Sequence, residues 1–137
     1  MKPLAALVVD DEPLARERLS RLLQEAGCVV AGELGDGLAL LHWLRQGNQA
    51  DVIFLDIQMP GPSGMEVLAE IPACPPVVFV TAHSTYAVRA FELAAADYLL
   101  KPVFEDRLDK CLQRLRDQLV RRLGPAELKS LLPPPLR

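Results

Sequence analysis

The sequence predicts an α/β domain built on a doubly wound, five-stranded parallel sheet with five helices, and three observations carry that prediction. Five apolar runs, each too short for a helix, alternate with stretches whose leucines return at helical spacing. Such alternation calls for parallel strands whose right-handed crossovers place helices on both faces. The third observation is the central run Val52-Ile53-Phe54-Leu55, which ends at Asp56 and is followed by Gln58-Met59-Pro60-Gly61, a turn signal. In an open α/β sheet ligands bind at the carboxyl edge, so Asp56 stands where chemistry is expected.

Composition sets the limits. A chain of 137 residues, 50% hydrophobic and with a net charge of -3, suits one compact domain with a sizeable core. No apolar run reaches the roughly 18 residues of a membrane span. The start Met1-Lys2-Pro3 opens no long apolar leader, so a cytoplasmic location without membrane contact is expected. Cys28, Cys74 and Cys111 lack the close pairing of zinc or redox motifs and read as reduced thiols, two of them in the core. Residues 1–100 carry 6 Lys/Arg against 13 Asp/Glu, and residues 101–137 carry 9 against 5. In that second part Arg107, Lys110, Arg114, Arg116, Arg121 and Arg122 are interleaved with acids, which describes a solvated helix face better than a nucleic-acid surface.

The first strand spans Leu4 to Val9 and exits at Asp10-Asp11-Glu12-Pro13, where Asp11 is expected to cap a helix whose first turn tolerates proline. Leu14, Leu19, Leu22 and Leu23 mark its apolar face and Gly27 closes it. Cys28 to Leu34 is the second strand. Asp36-Gly37 opens the second helix, with Leu38, Leu41 and Leu44 on one face, Trp43 half-buried on another and a stop at Gly47. After the central strand, Ser63-Gly64-Met65-Glu66 has the spacing of a capping box for a third helix to about Ile71. Val77 to Val80 is the fourth strand, ending at Thr81, and a short helix with Val88, Ala90, Phe91 and Ala94 follows. Asp97 to Leu100 is the fifth strand, ending at Lys101-Pro102. The fifth helix runs from about Phe104 to Leu123 with Leu108, Leu112, Leu115 and Leu119 on its seam, and Gly124-Pro125 ends it. Residues 1–123 thus read as one domain and residues 124–137, with three consecutive prolines, as an interdomain linker or a frayed end.

The strand ends converge. Asp10 and Asp11, Asp56, Thr81 and Lys101 meet on one edge as three acids, a hydroxyl and an amine. Crowded carboxylates stay ionised only when a cation compensates them. Magnesium suits an oxygen set that must also leave room for a phosphoryl group. Lys101 and Thr81 could then stabilise the oxygens of a phosphoryl group attacked in line by Asp56. A structural salt bridge from Lys101 to one acid would explain a pair but not the whole set.

Val8-Val9-Asp10-Asp11-Glu12-Pro13, Leu55-Asp56-Ile57-Gln58-Met59-Pro60, Val80-Thr81-Ala82 and Tyr98-Leu99-Leu100-Lys101-Pro102 together strongly resemble the motifs of receiver domains of two-component response regulators, over about residues 4–122. Thr81-Ala82-His83 followed by Tyr86-Ala87-Val88-Arg89-Ala90-Phe91 is most similar to the LytR/AlgR regulators, in which a receiver precedes a DNA-binding domain of the LytTR type. The resemblance implies a CheY-like, flavodoxin-like strand order 2-1-3-4-5 and a phosphorylation switch rather than a conventional enzyme. Asp56 would accept a phosphoryl group from a sensor histidine kinase. Asp10, Asp11, Asp56 and the carbonyl of Gln58 would hold Mg2+, Thr81 and Lys101 would bind phosphoryl oxygens, and Tyr98 would change rotamer with Thr81 on activation. Gln58 and His83 would tune the lifetime, and the Lys101-Pro102 peptide is expected to be cis.

Three outputs remain open at this point. Transcription through a DNA-binding domain absent after residue 123 is the leading one. A stand-alone receiver acting by protein-protein binding is the second, and a magnesium-dependent aspartyl phosphohydrolase the third, although Ile57 to Pro62 offers it neither a second catalytic acid nor a covering insertion. Phosphorylation is also expected to favour a homodimer through the surface of the fourth helix, fifth strand and fifth helix, with Arg89, Glu92 and Asp97 exposed and able to pair with Lys110 or Arg114 of a second copy.

Overall fold

A computed structural model describes residues 3–59, 61, 64–70, 75–82 and 96–122. Strands β1 (Ala5–Val9), β2 (Val29–Leu34), β3 (Val52–Asp56), β4 (Val77–Thr81) and β5 (Asp97–Leu100) form one parallel sheet in the order β2-β1-β3-β4-β5. The sequence placed all five within a residue or so. Helices α1 (Pro13–Glu25), α2 (Gly37–Arg45), α3 (Gly64–Glu70) and a C-terminal helix (Glu105–Arg122) surround it. The short helix expected after Thr81, the Ser63 cap, Cys74 and the segment 123–137 lie outside the described residues.

Alternate side chains of each strand enter two separate cores, because successive residues point to opposite faces. Ala6, Val8, Phe54, Val78, Val80 and Leu99 pack with Leu19 and Leu23 of α1 and with Leu108, Cys111, Leu112 and Leu115 of the C-terminal helix. Leu7, Val9, Ile53, Leu55, Val77 and Phe79 pack with Leu40 of α2 and Val67 of α3. Cys28 and Cys111 are buried free thiols, as expected. Gly27 stands at φ 87°, a left-handed conformation that lets the chain reverse from α1 into β2.

Several helix details depart from the sequence reading. Leu14 and Leu38 are exposed, and the buried leucine of α2 is Leu40. Four leucines in nine residues leave that helix without a single apolar face until the sheet selects one. Trp43 is half-buried against the second core. Asp11 does not cap α1, whose N-cap position is Glu12 with no side-chain cap bond. Asp36 does cap α2: its Oδ1 accepts the Ala39 N–H at 2.7 Å. Asp36→Ala is expected to cost about 1 kcal/mol, read as a lower urea midpoint with unchanged slope.

The outermost strand, β5, is tied to the C-terminal helix by an ion-pair cluster. Asp97, expected to be exposed, has a fully buried side chain that takes Arg107 Nη2 at 2.9 Å and Arg114 Nη1 at 3.4 Å. Its Oδ1 also accepts the Tyr98 N–H at 2.8 Å, while Arg107 Nη2 donates to the Tyr98 carbonyl at 2.8 Å. The Arg107 guanidinium sits 5.7 Å from the centre of the Tyr98 ring. Burial would push the Asp97 carboxyl up, but the Arg107 hydrogen bonds, the Tyr98 N–H and both guanidinium charges hold it below the usual range. The reason for the departure is sequence distance: its partners lie ten and seventeen residues on.

Candidate functional site

The sheet delivers the predicted groups to one place. Asp10 leaves β1, Asp56 and Thr81 are the last residues of β3 and β4, and Lys101 follows β5. Asp10, Asp56 and Thr81 are buried, and the Lys101-Pro102 peptide is cis. Asp10, Asp11 and Asp56 each offer a carboxylate oxygen within 4.8 Å of the others. Lys101 reaches into this group, its Nζ 2.8 Å from Asp10 Oδ2 and 3.2 Å from Asp56 Oδ2. Glu12 Oε1 stands 4.0 Å from the same nitrogen.

Local turns fix the acids. The chain leaving β1 folds so that Asp10 Oδ1 accepts the Glu12 N–H at 2.9 Å, and after β3 Asp56 Oδ1 accepts the Gln58 N–H at 3.1 Å. Both are the local bonds that aspartates make to a backbone two residues on. They leave the second oxygen of each acid turned to Lys101. Tyr98 lies half-buried against the core on the α2 and α3 side.

One ammonium serves two buried carboxylates, with a third close by, so the site is short of positive charge. Burial raises Asp56 from 3.8 to about 6, the Lys101 charge opposes this, and the Asp10 charge adds to it. Burial would lower Lys101, but the Asp10 hydrogen bond and the Asp56 and Asp10 charges hold it above its usual value. The two shifts are compatible: the lysine has acids to spare, whereas Asp56 has too little cation. A hard, oxygen-seeking divalent cation fits three converging carboxylates in this deficit.

Sequence reasoning missed two members of the neighbourhood. Glu12 adjoins the acid pair in the chain and could have been included on that ground. Arg16, whose Nη1 donates to the Asp10 carbonyl at 2.7 Å, becomes a neighbour only once the helix turns it back toward β1. His83 lies outside the described residues.

Residues 6–113 match the family of response regulator receiver domains. The chain belongs to that family. Transcriptional regulatory protein BtsR of Escherichia coli (strain K12) is 47% identical over 121 residues, which is 84% of this chain and 49% of that protein. The receiver thus spans about half the length of the curated relatives it matches. Among solved structures, the response regulatory domain of mrkE from Klebsiella pneumoniae is 37% identical, with a TM-score of 0.77 over 87% of this chain and 100% of that one. TrrA from Thermotoga maritima, solved in complex with Mg(2+)-BeF, is 36% identical with a TM-score of 0.71 over 82% of this chain and 98% of that one. This receiver is accordingly a domain of a two-component response regulator with relatives named as transcriptional regulators. Among its described residues no helix is long and apolar enough to cross a membrane.

Proposed function

We propose that this receiver is a phosphorylation switch in which Asp56 takes a phosphoryl group from a sensor histidine kinase. The observation that carries the reading is the convergence of Asp10, Asp11 and Asp56 around Lys101 at the carboxyl edge of the sheet. A carboxylate oxygen of Asp56 attacks phosphorus, an O–P bond forms, and the P–N bond to the donor imidazole breaks. Asp10, Asp11, Asp56 and the Gln58 carbonyl would hold Mg2+, which when bound neutralises charge on the transferring oxygens. Lys101 pairs with a phosphoryl oxygen in place of Asp56, and the Thr81 hydroxyl donates to another. Tyr98 follows Thr81 as the second part of the switch, and the chain carries out no turnover beyond its own phosphorylation and dephosphorylation.

The output is transcription, through a DNA-binding domain of the LytTR type joined to residues 1–123 by the linker-like segment 124–137. The naming of BtsR as a transcriptional regulatory protein supports this, as does the share of it that the receiver spans. A cytoplasmic location goes with that output. Dimerisation through the fourth helix, fifth strand and fifth helix would use other charges than first expected, since Asp97 and Arg114 are paired within one chain.

Intact-mass measurement after treatment with acetyl phosphate tests the switch. The expected result is a gain of one phosphoryl group in the presence of magnesium, none in a chelator, and none in Asp56→Ala. A gain that persists in that variant would overturn the assignment.

A further inference from the structure

We propose that Arg16 is a positioning residue for the acidic centre, setting the direction of Asp11 by holding the peptide that joins it to Asp10. This rests on the reading that Asp10, Asp11 and Asp56 hold Mg2+. The turn from β1 into α1 has no side-chain cap at Glu12, so its geometry must come from elsewhere. Asp10 supplies part of it: its N–H donates to the Leu34 carbonyl at 3.0 Å, its Oδ1 takes the Glu12 N–H, and its Oδ2 faces Lys101. The remaining polar group, the Asp10 carbonyl, takes Arg16 Nη1 at 2.7 Å. That oxygen lies in the planar unit that also contains the Asp11 nitrogen and Cα, so fixing it restricts how Asp11 leaves the strand. Arg16 is itself held from the far side, its Nε 3.8 Å from Glu33 Oε1 on β2. A strut therefore runs from the edge of the sheet through Arg16 to the peptide before Asp11.

Charge and geometry predict opposite results here, which makes the role testable. As a cation near three acids, Arg16 repels an incoming divalent ion, so removing it should tighten metal binding if charge is all it contributes. As a strut it should do the reverse, because groups that orient metal ligands typically account for about 10- to 100-fold in affinity. Lysine keeps the charge but cannot reach the Asp10 carbonyl and Glu33 with one planar fork.

The experiment is calorimetric titration of Mg2+ into the unphosphorylated protein, comparing wild type with Arg16→Met and Arg16→Lys, with thermal melts in chelator alongside. The expected result is binding about tenfold weaker in Arg16→Met, with Arg16→Lys weakened nearly as much. A purely structural arginine would lower the melting temperature while leaving the dissociation constant of the folded protein unchanged. Unchanged or tighter binding in Arg16→Met, or full rescue by lysine, overturns the proposal. If Arg16→Met does not fold, Arg16→Lys alone decides. Absence of Mg2+ binding in wild type would instead sink the metal reading itself.

Discussion

Asp56→Asn is expected to make the metal-free protein more stable at pH 7 by about 3 kcal/mol, although it removes the group proposed as the phosphoryl acceptor. The folded chain holds the Asp56 proton more tightly than the unfolded chain does, with a pKa of about 6 against 3.8. The contribution of Asp56 is therefore fully present below about pH 4 and is lost as the pH rises through about 6. Above that range the ionised carboxylate is a standing penalty, roughly two pH units at about 1.4 kcal/mol each. Asparagine carries no charge, keeps an oxygen for the Gln58 N–H, and leaves Lys101 to Asp10. Urea unfolding in chelator at pH 4 and pH 7 checks this: the variant's advantage should be large at pH 7 and small at pH 4. Millimolar magnesium should shrink it at pH 7 by stabilising wild type. Equal stability of the two proteins at pH 7 without metal would mean that the site is not short of cation.

The second large effect has the opposite sign. Asp97→Ala is expected to cost about 3 to 4 kcal/mol at pH 7, because it removes a fully buried acid from two guanidinium partners and leaves the Tyr98 N–H without its carboxylate. Arg107 and Arg114 are partly exposed and water can recover some of their solvation, which keeps the cost below the upper range for a buried pair. The Asp97 pKa is lowered in the folded state, so its contribution is present above the unfolded value near 4 and lost as the pH falls through the folded value. The stability difference between wild type and Asp97→Asn should accordingly narrow below pH 4, as followed by urea unfolding at pH 7 and pH 3. A difference independent of pH would show that packing, not charge, is what Asp97 supplies.

The two aspartates differ in how well the sequence revealed them. Asp56 follows four apolar residues and precedes a proline-glycine turn, so a local pattern alone places it at the end of a central strand. Asp10, Thr81 and Lys101 are legible in the same way. Strands buried on both faces tolerate such reading well, because no choice of face is needed. Asp97 begins a strand of four residues, and nothing near it announces the arginines that cover it from the C-terminal helix. Leu14 and Leu38 fail for a related reason: helical periodicity offers several faces, and only the sheet surface selects among them. Arg16 needs both the helix and the turn before it to be in place. What the sequence carries is therefore the groups at the strand ends, whereas what it hides is the set of side chains that reach them across the fold.

The side chains of Asp97 and Arg107 have a further effect at the rim of the sheet. β5 is an outer strand, and such a strand normally presents free backbone amides and carbonyls on which another chain can add a strand. At Tyr98 both groups are already engaged, the N–H by Asp97 and the carbonyl by Arg107. Half-way along a strand of four residues, that leaves no continuous template for sheet extension. Copies of this receiver that meet on that side must therefore recognise each other through side chains. Contacts of that kind can be made and broken by small rearrangements, whereas an added strand would hold the copies together whatever the state of Asp56.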